Sequence, residues 1–479
     1  MQFVGSSPVP LDSPTALRPA SDSTSFGLTF GTPSDTCTDI ATCRTRYTIV
    51  WSSLVTILAC VWTAVHRNVP APEKARESRY RRIMGVVLEA AKIVVVTVLV
   101  PEWVLAWAVR QYLNSRDVGE TLEKVRVDAE EIWDAKQEKL REMMADLGER
   151  DARGQYMAAT SSEGHDEELA IIQESTVAVN KQTGRLSGKW MLRHGFFVIM
   201  GGFHYYKDGE PQHPLPRSDV IELVSRGELV PPTDEEIRNW SQSDVFSKVL
   251  AVIQTLWFVI QAIARRIEGL PVTQLEIMTL AYTTISIAMY VAWWNKPQNV
   301  SGPVRVVVQE LPEPAARPGF EGLRVFDVIA GWQDDNVDLR KERCVPTFYG
   351  GAVVLDKNSL YADGVALAAA MVFGAVHCAA WYYAFPSHVE KLIWRVSSVI
   401  VVAVPGAMLA VFLPLLMVSD IDNLGDEHAL LTSVVFFPSA PLYVVARLLL
   451  LSLSFSTLRS LPPEAYHAVK WTFKIPHFT

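Results

Sequence analysis

The chain carries little charge for its length, and the balance of that charge is acidic. Aspartate, glutamate, lysine and arginine make up 20% of the 479 residues, and the net charge is −8. A nucleic-acid-binding protein needs a basic surface, so we expect no nucleic-acid partner. Cysteine is also scarce. The 5 cysteines offer no redox couple beyond Cys37 and Cys43, which could pair in an oxidising lumen.

The common chemical motifs are missing as well. The sequence has no phosphate loop, no dinucleotide fingerprint and no nucleophile elbow. Its histidines and cysteines do not form a close-spaced ligand pair on one evident element, and histidine boxes of the membrane desaturase kind are absent. We therefore expect no metal and no cofactor, and an iron oxygenase is disfavoured.

Long apolar runs are what the sequence has instead. Hydrophobic residues make up 49% of the chain, and a helix needs about 20 mostly apolar residues to cross a bilayer. Seven runs are long enough to be predicted as spans, with a buried soluble hairpin as the alternative for the third and fourth. They are Tyr47–Val65, Ile83–Val109, Val245–Ala264, Pro271–Trp294, Gly364–Pro386, Ser397–Val418 and Leu430–Phe455.

These runs predict an all-α fold, a polytopic transmembrane helix bundle of about seven spans. Spans one and two occupy 46–110, spans three and four occupy 244–296, and spans five to seven occupy 364–456. A Ser-, Pro- and Thr-rich tail at 1–45 is predicted to be disordered. We expect an extramembrane loop with a strand at 297–363 and a C-terminal tail at 457–479.

The largest polar segment, 111–243, is predicted to be a mostly helical extramembrane block. Apolar residues recur every three to four positions between 118 and 150, which predicts a charged helix with one apolar stripe. That helix could prolong span two out of the membrane or bind a protein partner. The apolar run inside 186–203 is too short to span, so it is either an interfacial helix or a buried soluble one.

Lysine and arginine in the short loops indicate the orientation. The loop after span one holds Arg67, Lys74, Arg76, Arg79, Arg81 and Arg82, whereas 420–427 holds no basic residue. By the positive-inside rule we expect a luminal or outside N-terminus and a cytosolic C-terminus. The membrane would be an endomembrane or the plasma membrane. The basic residues that follow span two argue for the opposite orientation.

Ionisable side chains inside the predicted spans are candidate functional groups, because burying them in hydrocarbon is costly. Glu102 follows Pro101, which frees a backbone carbonyl and can kink the helix beside the carboxylate. Glu102 and His377 are therefore the candidate catalytic residues for proton transfer. A hydrogen bond to a neighbouring helix is the structural alternative for each.

Other polar and aromatic side chains in the spans could bind a substrate. Part of the set lies on span three at intervals of three to four residues, which predicts a stripe that faces protein. Arg447 could pair with Glu102 or with Glu276. Trp293, Trp294 and Lys296 are typical of a belt at the membrane surface. The candidate substrate-binding residues are Gln254, Trp257, Gln261, Glu276, Trp381 and Arg447.

Ten short stretches support a resemblance to a known group of proteins. They are Cys43–Arg46, Ile49–Ser53, Thr56–His66, Asn68–Pro70, Pro101–Glu102, His194–Phe203, Gln254–Phe258, Trp293–Pro297, Gly374–Cys378 and Leu461–Tyr466. Through them the chain resembles a large, uncharacterised family of fungal multi-pass membrane proteins, over nearly everything after the N-terminal tail. Similar proteins sometimes sit beside secondary-metabolite genes. The resemblance implies a fungal membrane protein and supplies no activity.

The sequence thus predicts a multi-pass integral membrane protein of undetermined biochemical role, with a link to secondary metabolism implied by the resemblance. One alternative is a membrane-embedded enzyme that does acid–base chemistry, such as cyclisation, on a lipophilic substrate. Another is a transporter, a receptor-like protein or a membrane scaffold that binds a protein through 118–150. The expected partners are the lipid bilayer and a lipophilic small molecule.

Overall fold

The structure is a computed structural model that describes residues 43–72, 79–152, 188–241, 245–308, 311, 337–351, 357–417 and 426–469. Most of the predicted N-terminal tail lies outside these ranges, as does the end of the C-terminal tail. The same holds for 153–187 of the predicted extramembrane block and 312–336 of the predicted loop.

The described part of the chain is mainly helical. The longer helices are α1 Arg46–Ala64, α2 Arg79–Leu99, α3 Pro101–Ala152, α4 Leu192–Ile199, α5 Arg217–Ser225, α6 Asp234–Trp240, α7 Val245–Ile267, α8 Gln274–Ala292, α9 Lys357–Cys378, α10 His388–Met417 and α11 Asp426–Ser456. Short 3₁₀ turns follow at Leu339–Lys341, Thr457–Ser460 and Pro463–Tyr466. The strands are β1 Phe203–Lys207, β2 Glu210–Pro214 and β3 Val304–Val306.

Within the described residues, six helices are long and apolar enough to cross a membrane. They are Arg46–Ala64, Val249–Ile267, Gln274–Ala292, Asn358–Cys378, His388–Val411 and Pro438–Ser460. They correspond to the first and the third to seventh predicted spans, and the last three are shifted by several residues. Capping sets two of the starts, since the hydroxyls of Thr45 and Thr273 accept hydrogen bonds from the first turns of α1 and α8.

Exposed side chains on these helices are distributed as expected for lipid contact. Ile253 and Leu256, in the middle of α7, are more than half exposed. Three exposed tryptophans lie nearer the helix ends, with Trp51 and Trp62 on α1 and Trp294 just after α8, whereas the exposed Trp257 lies in the middle of α7. Tryptophan prefers the membrane–water interface, whereas aliphatic side chains suit the hydrocarbon.

The second predicted span is bent sharply rather than straight. α2 ends at Leu99, α3 begins at Pro101, and the two helices are bent by 110° at the break. Proline has no N–H to continue the hydrogen bonds of α2, and its ring clashes with the preceding turn. The break therefore falls at Pro101.

Both arms of this bend lead to the same face of the bundle. Glu89 on α2 accepts a hydrogen bond from the Thr347 hydroxyl. Trp107 on α3 donates to the carbonyl of Tyr349 at 2.9 Å. Since Thr347 and Tyr349 lie in one loop, α2 and α3 form a re-entrant hairpin that enters and leaves the bundle on one face. The sequence predicted one span with a possible kink at Pro101, and the structure shows a bend at that residue.

A small domain, here called the head, lies on that face. Its three-stranded sheet has the order β2–β1–β3, with β1 antiparallel to β2 and parallel to β3. The turn between β1 and β2 has positive φ at both Asp208 (52°) and Gly209 (82°), as hairpin turns require. The extension of α3 packs on this domain through Val118 and Leu122. The all-α prediction holds for the bundle and fails for the head.

The run predicted as a possible interfacial helix forms α4, which is buried between head and bundle. Phe196 joins the core of the bundle, whereas Phe197 joins the core of the head. Gly195 permits the close packing of α4 on α3, because a Cβ there would lie 1.9 Å from the carbonyl oxygen of Ser115. Of the two alternatives at 186–203, the structure shows the buried helix.

The two ends of the described chain meet on the opposite face, here called the terminal face. The backbone N–H of Arg44 donates to the carbonyl of Tyr466 at 2.8 Å, and Cys43 forms a β-bridge with His467. Six helices that are long and apolar enough to cross a membrane, together with the hairpin, bring the described chain back to the face where it starts. The two ends of the described chain therefore lie on one face of the bundle, whereas the sequence predicted the termini on opposite sides of a membrane. Cys43 is disulfide-bonded, and Cys37 lies outside the described residues.

Candidate functional site

Glu102 and Arg447 form an ion pair in the interior of the bundle. Glu102 lies in the first turn of α3, where the positive end of the helix dipole favours a carboxylate. Its Oε2 is 2.9 Å from Nη1 of Arg447 on α11, and the two side chains are 9% and 4% exposed. Of the two partners that the sequence allowed for Arg447, the structure shows Glu102.

Aromatic side chains surround the Arg447 guanidinium. Its central carbon is 4.0 Å from the ring centroid of Phe373, and Nη1 donates to the Tyr443 hydroxyl at 3.1 Å. Tyr282 on α8 lies on another side, and its hydroxyl donates to the carbonyl of Val98 at the end of α2. The tip of the hairpin is thereby fastened to the cluster that holds Arg447. Cation–π contacts of this kind stabilise a buried guanidinium.

His377 lies in the same region but does not contact Glu102. Its ring packs against Phe373, with 4.7 Å between centroids. Nδ1 donates to the Phe373 carbonyl at 2.8 Å, and Nε2 is 3.3 Å from Sδ of Met278. Both ring nitrogens thus have neighbours within the bundle. The catalytic roles of Glu102 and His377 stay predictions.

A crevice lies between the tip of the hairpin and α11. It is lined by Val98, Leu99, Met278, Tyr282, Phe373, Arg447, Leu448, Leu450 and Leu451. Its free volume is about 10 Å³, which is room for about one water molecule. Leu448 at its rim is 43% exposed, so the crevice opens sideways from the bundle. Neither Glu102 nor His377 lines it.

The three candidates on α7 lie elsewhere. Gln254 donates to the Thr56 hydroxyl on α1 at 3.3 Å. Trp257 is 46% exposed, and Gln261 is half-buried. Gln254 thus has an interhelical hydrogen bond of the kind expected of a stripe that faces protein.

Glu276 and Trp381 lie toward the terminal face. Glu276 forms an ion pair with Arg44 and accepts a hydrogen bond from the Thr273 backbone at 2.8 Å. The Trp381 carbonyl accepts from Arg395 at 2.8 Å, and the Arg395 guanidinium carbon is 4.9 Å from the Trp381 ring centroid. The predicted binding residues therefore do not converge on one site, and Arg447 alone among them lines the crevice.

A second polar cluster, at the junction of bundle and head, was not anticipated. Lys296 is only 3% exposed, and its Nζ donates to the carbonyl of His66, to Oδ1 of Asn68 and to Oε1 of Gln111. The rings of Trp107 and Trp293 lie 4.8 and 4.9 Å from Nζ. The prediction of an interfacial belt fits the exposed Trp294 but is wrong for Trp293 and Lys296, which are buried.

The hydrogen bonds decide the charge of Lys296. Burial lowers the pKa of Lys296 well below its usual range, which favours a neutral amine. A neutral amine, however, has two N–H groups, whereas three oxygens accept from Nζ. Because the contacting atoms are all acceptors and two indole faces flank them, we assign the ammonium form. Within the described residues no carboxylate pairs with it.

The loop that receives the hairpin is strained beside this cluster. Phe348 has a φ of 69°, a left-handed conformation that costs a non-glycine residue about 1 kcal/mol or more. Three side chains hold the neighbouring carbonyls: Asn68 donates to Pro346, Gln111 to Tyr349 and Asn114 to Gly350. The strain is thus kept in place by α3 and by the segment after α1.

The head contains two buried histidines. Nε2 of His194 donates to the Pro232 carbonyl at 2.8 Å. Burial lowers the pKa of His204 to about 4, so that histidine is neutral at physiological pH. Within the described residues, no group of three or more His, Cys, Asp or Glu side chains is arranged to hold a metal ion.

Comparison with known proteins identifies a family without a known role. Residues 29–316 match the model of a family described as "Family of unknown function (DUF8562)". The chain belongs to this family. Curated proteins and solved structures give no significant match.

The family match covers one of the two polar clusters more fully than the other. The junction residues His66, Asn68, Gln111 and Lys296 all lie within 29–316. The ion pair is divided, since Glu102 lies inside the match and Arg447 lies beyond it. A signal for the junction was present in the sequence: Trp293–Pro297 and Asn68–Pro70 are among the stretches that carry the resemblance. They contain no motif of known chemistry, so they did not indicate a buried ammonium.

Proposed function

We propose that this protein is a multi-pass membrane protein that binds a lipophilic small molecule in the crevice beside Arg447. The observation that carries the proposal is the position of this cation. It lies at the inner wall of an otherwise mostly apolar crevice whose rim is exposed on the side of the bundle. A ligand from the bilayer could place an apolar chain there and a hydrogen-bond acceptor on the guanidinium.

Entry of such a ligand requires the hairpin to move. The crevice as it stands has room for about one water molecule. α2 forms one of its walls, and much of this helix faces outward: Ile83, Val87 and Val95 are each more than half exposed. An element with few buried side chains opens at a low free-energy cost. We therefore expect α2 to swing away from α11 when a ligand binds.

The contacts of Glu102 disfavour the enzyme alternative. A general acid or base needs a carboxyl that can gain and lose a proton beside the substrate. Glu102 instead serves as the counter-charge of Arg447, and it does not line the crevice. Binding or transport of a lipophilic compound accounts for the cluster better than acid–base catalysis does. If the resemblance to fungal proteins near secondary-metabolite genes holds, a secondary metabolite is the first compound class to test.

We further propose that the head lies in the cytosol and that both chain ends lie outside or in the lumen. The first loop leaves α1 on the head face, where Val69 donates to the Met200 carbonyl, and its sequence is rich in lysine and arginine. Positive loops stay cytosolic. The disulfide of Cys43 is on the terminal face, which suits an oxidising compartment. The N-terminal placement agrees with the prediction from sequence, and the C-terminal placement replaces it.

Photolabelling of the purified protein in lipid nanodiscs tests the binding proposal. The probe is a long-chain fatty acid that carries a diazirine, with the matching fatty alcohol as a neutral version. We expect both to crosslink to peptides that contain Val98–Leu99 or Leu448–Leu451. Leu448→Trp should fill the rim and reduce that labelling severalfold.

Leu449→Trp is the matched control, because Leu449 is also exposed on α11 (39%) but does not line the crevice. Labelling should be unchanged in this variant. Equal labelling of wild type and Leu448→Trp, or crosslinks spread evenly over the bundle, would overturn the proposal.

A further inference from the structure

A polar seam runs between α1 and α8 through the interior of the bundle. On α1 it consists of Ser53, Thr56, Cys60 and Thr63, at intervals of three to four residues. On α8 it consists of Thr279, Thr283, Ser286 and Tyr290, at the same intervals. Ser53, Thr56, Thr279 and Thr283 are at most 2% exposed. Residues at this spacing share one helix face, so each helix contributes one polar stripe.

Contacts along the interface show that the two stripes face each other. Near the terminal face, Ile49 of α1 clusters with Leu275 of α8. In the middle, the Cys60 thiol lies against Thr283 of α8 and is 3.2 Å from the Thr255 hydroxyl of α7. Ser53 lies one turn after Ile49 on this same face of α1. It therefore points into the interface with α8.

Most hydroxyls of the seam are satisfied by their own helices. Thr56, Thr63, Thr279 and Thr283 each donate to the carbonyl four residues earlier, at 2.6 to 2.9 Å. Such bonds let a hydroxyl sit in an apolar environment without a partner from another helix. They use the single proton of each group and leave its oxygen able to accept.

Two hydroxyls of the seam are different. Among the described residues, the oxygens of Ser53 and Ser286 are buried without a hydrogen-bond partner, whereas the Tyr290 hydroxyl lies beside Thr63. Ser53 and Ser286 are 0% and 2% exposed. A buried polar group without a partner is destabilising, and buried water usually supplies the missing bonds. A water molecule could accept a hydrogen bond from the unused serine hydroxyls. It could donate to the hydroxyl oxygens of the neighbouring threonines, which still have room to accept.

The two ends of the seam differ in how tightly they are closed. At the terminal face it begins beside Glu276 and Arg44, whose side chains are 7% and 17% exposed. At the head face it ends near Lys296, which is held by three oxygens and two indole rings. The seam is therefore less tightly enclosed at the terminal face than at the junction cluster.

We propose that the seam is a hydration site: a file of water molecules, bound by Ser53 and Ser286, that is open to the terminal face and closed at Lys296. It would give the bundle a polar half-channel next to the crevice but separate from it. The competing explanation is a dry contact in which small residues let two helices approach closely.

Cys60 provides a native reporter, because its thiol lies in the seam. The experiment uses Ag⁺, which is small enough to follow water and reacts with thiols. The protein is reconstituted in liposomes with Cys344→Ser and Cys378→Ser, and the modification of Cys60 is read by mass spectrometry after denaturing alkylation. We expect Ag⁺ to modify Cys60 from the terminal face and not from the head face. Ser53→Ala with Ser286→Ala should slow the reaction at least tenfold.

Ser398→Ala is the matched control, because Ser398 is equally buried but donates to the Trp394 carbonyl at 2.8 Å on α10. It should leave the reaction of Cys60 unchanged. Thermal unfolding gives a second measurement. In a dry seam, Ser53→Ala and Ser286→Ala would remove unsatisfied groups and raise Tm, whereas loss of bound water would leave Tm equal or lower. No reaction of Cys60 from the terminal face, or a higher Tm in both alanine variants, would overturn the proposal.

Discussion

The ion pair of Glu102 and Arg447 shows how single residues stabilise the interior of the bundle. Each charge alone would be expensive to bury, because the interior offers little solvation. Together they neutralise each other, and the Tyr443 hydroxyl and the Phe373 ring complete the surroundings of the guanidinium. The two residues therefore depend on each other, because each charge can be buried only while the other neutralises it.

Glu102→Gln should destabilise the protein strongly. The variant keeps the shape of the side chain but leaves Arg447 buried without a counter-charge, which costs about 3–5 kcal/mol. Thermal unfolding in detergent measures the loss. The double variant Glu102→Gln with Arg447→Met should recover most of it, because the uncompensated charge is then gone. If the stability losses of the two single variants simply add in the double variant, Glu102 is not the counter-charge of Arg447. A catalytic role for Glu102 would then be the better hypothesis.

Lys296 illustrates what residue-by-residue reading misses. A lysine after two tryptophans at the end of a span is typical of an interfacial belt, and Trp294 fits that interpretation. The acceptors that bury Lys296 come from Asn68 and Gln111, which are far away in the sequence. No residue close to Lys296 in the sequence indicates these acceptors. The pairing of Arg447 was easier to foresee, because few carboxylates lie inside the predicted spans.

At the scale of elements, the hydrophobic runs predicted the positions of the helices but not the angle of the bend between α2 and α3. Six apolar runs correspond to six helices that could cross a membrane. The second run also forms helix, and Pro101 was recognised as a possible kink. The size of the bend depends on contacts with the loop that holds Thr347 and Tyr349. Those contacts are tertiary and leave no mark on the local sequence.

Cysteine labelling distinguishes a re-entrant hairpin from a continuous span. Tyr80 begins α2 and is 70% exposed, and the Arg116 side chain on α3 is 64% exposed. In a background with Cys60, Cys344 and Cys378 replaced by serine, Tyr80→Cys and Arg116→Cys should both react with an impermeant maleimide from the head face. A continuous span would place them on opposite faces. Tyr382→Cys, 88% exposed after α9, should react only from the terminal face.

At the scale of the whole molecule, the hairpin decides the topology. Counting seven spans places the two termini on opposite sides of the membrane. With α2 and α3 counted as a hairpin, six candidate crossings remain, and an even number of crossings would return the chain to its starting face. The hydrogen bond between Arg44 and Tyr466 and the bridge between Cys43 and His467 join the two ends there. One proline-centred bend therefore changes the predicted side of the C-terminus.

Epitope tags test this topology directly. One tag is fused to the N-terminus, one to the C-terminus, and one is inserted at the exposed turn Asp208–Gly209 of the head. After selective permeabilisation of the plasma membrane, the head tag should be accessible to antibody and both terminal tags protected. The reverse pattern would keep the fold and invert its orientation. Terminal tags on opposite sides would instead contradict the hairpin, since an odd number of crossings cannot bring Cys43 and His467 to one face.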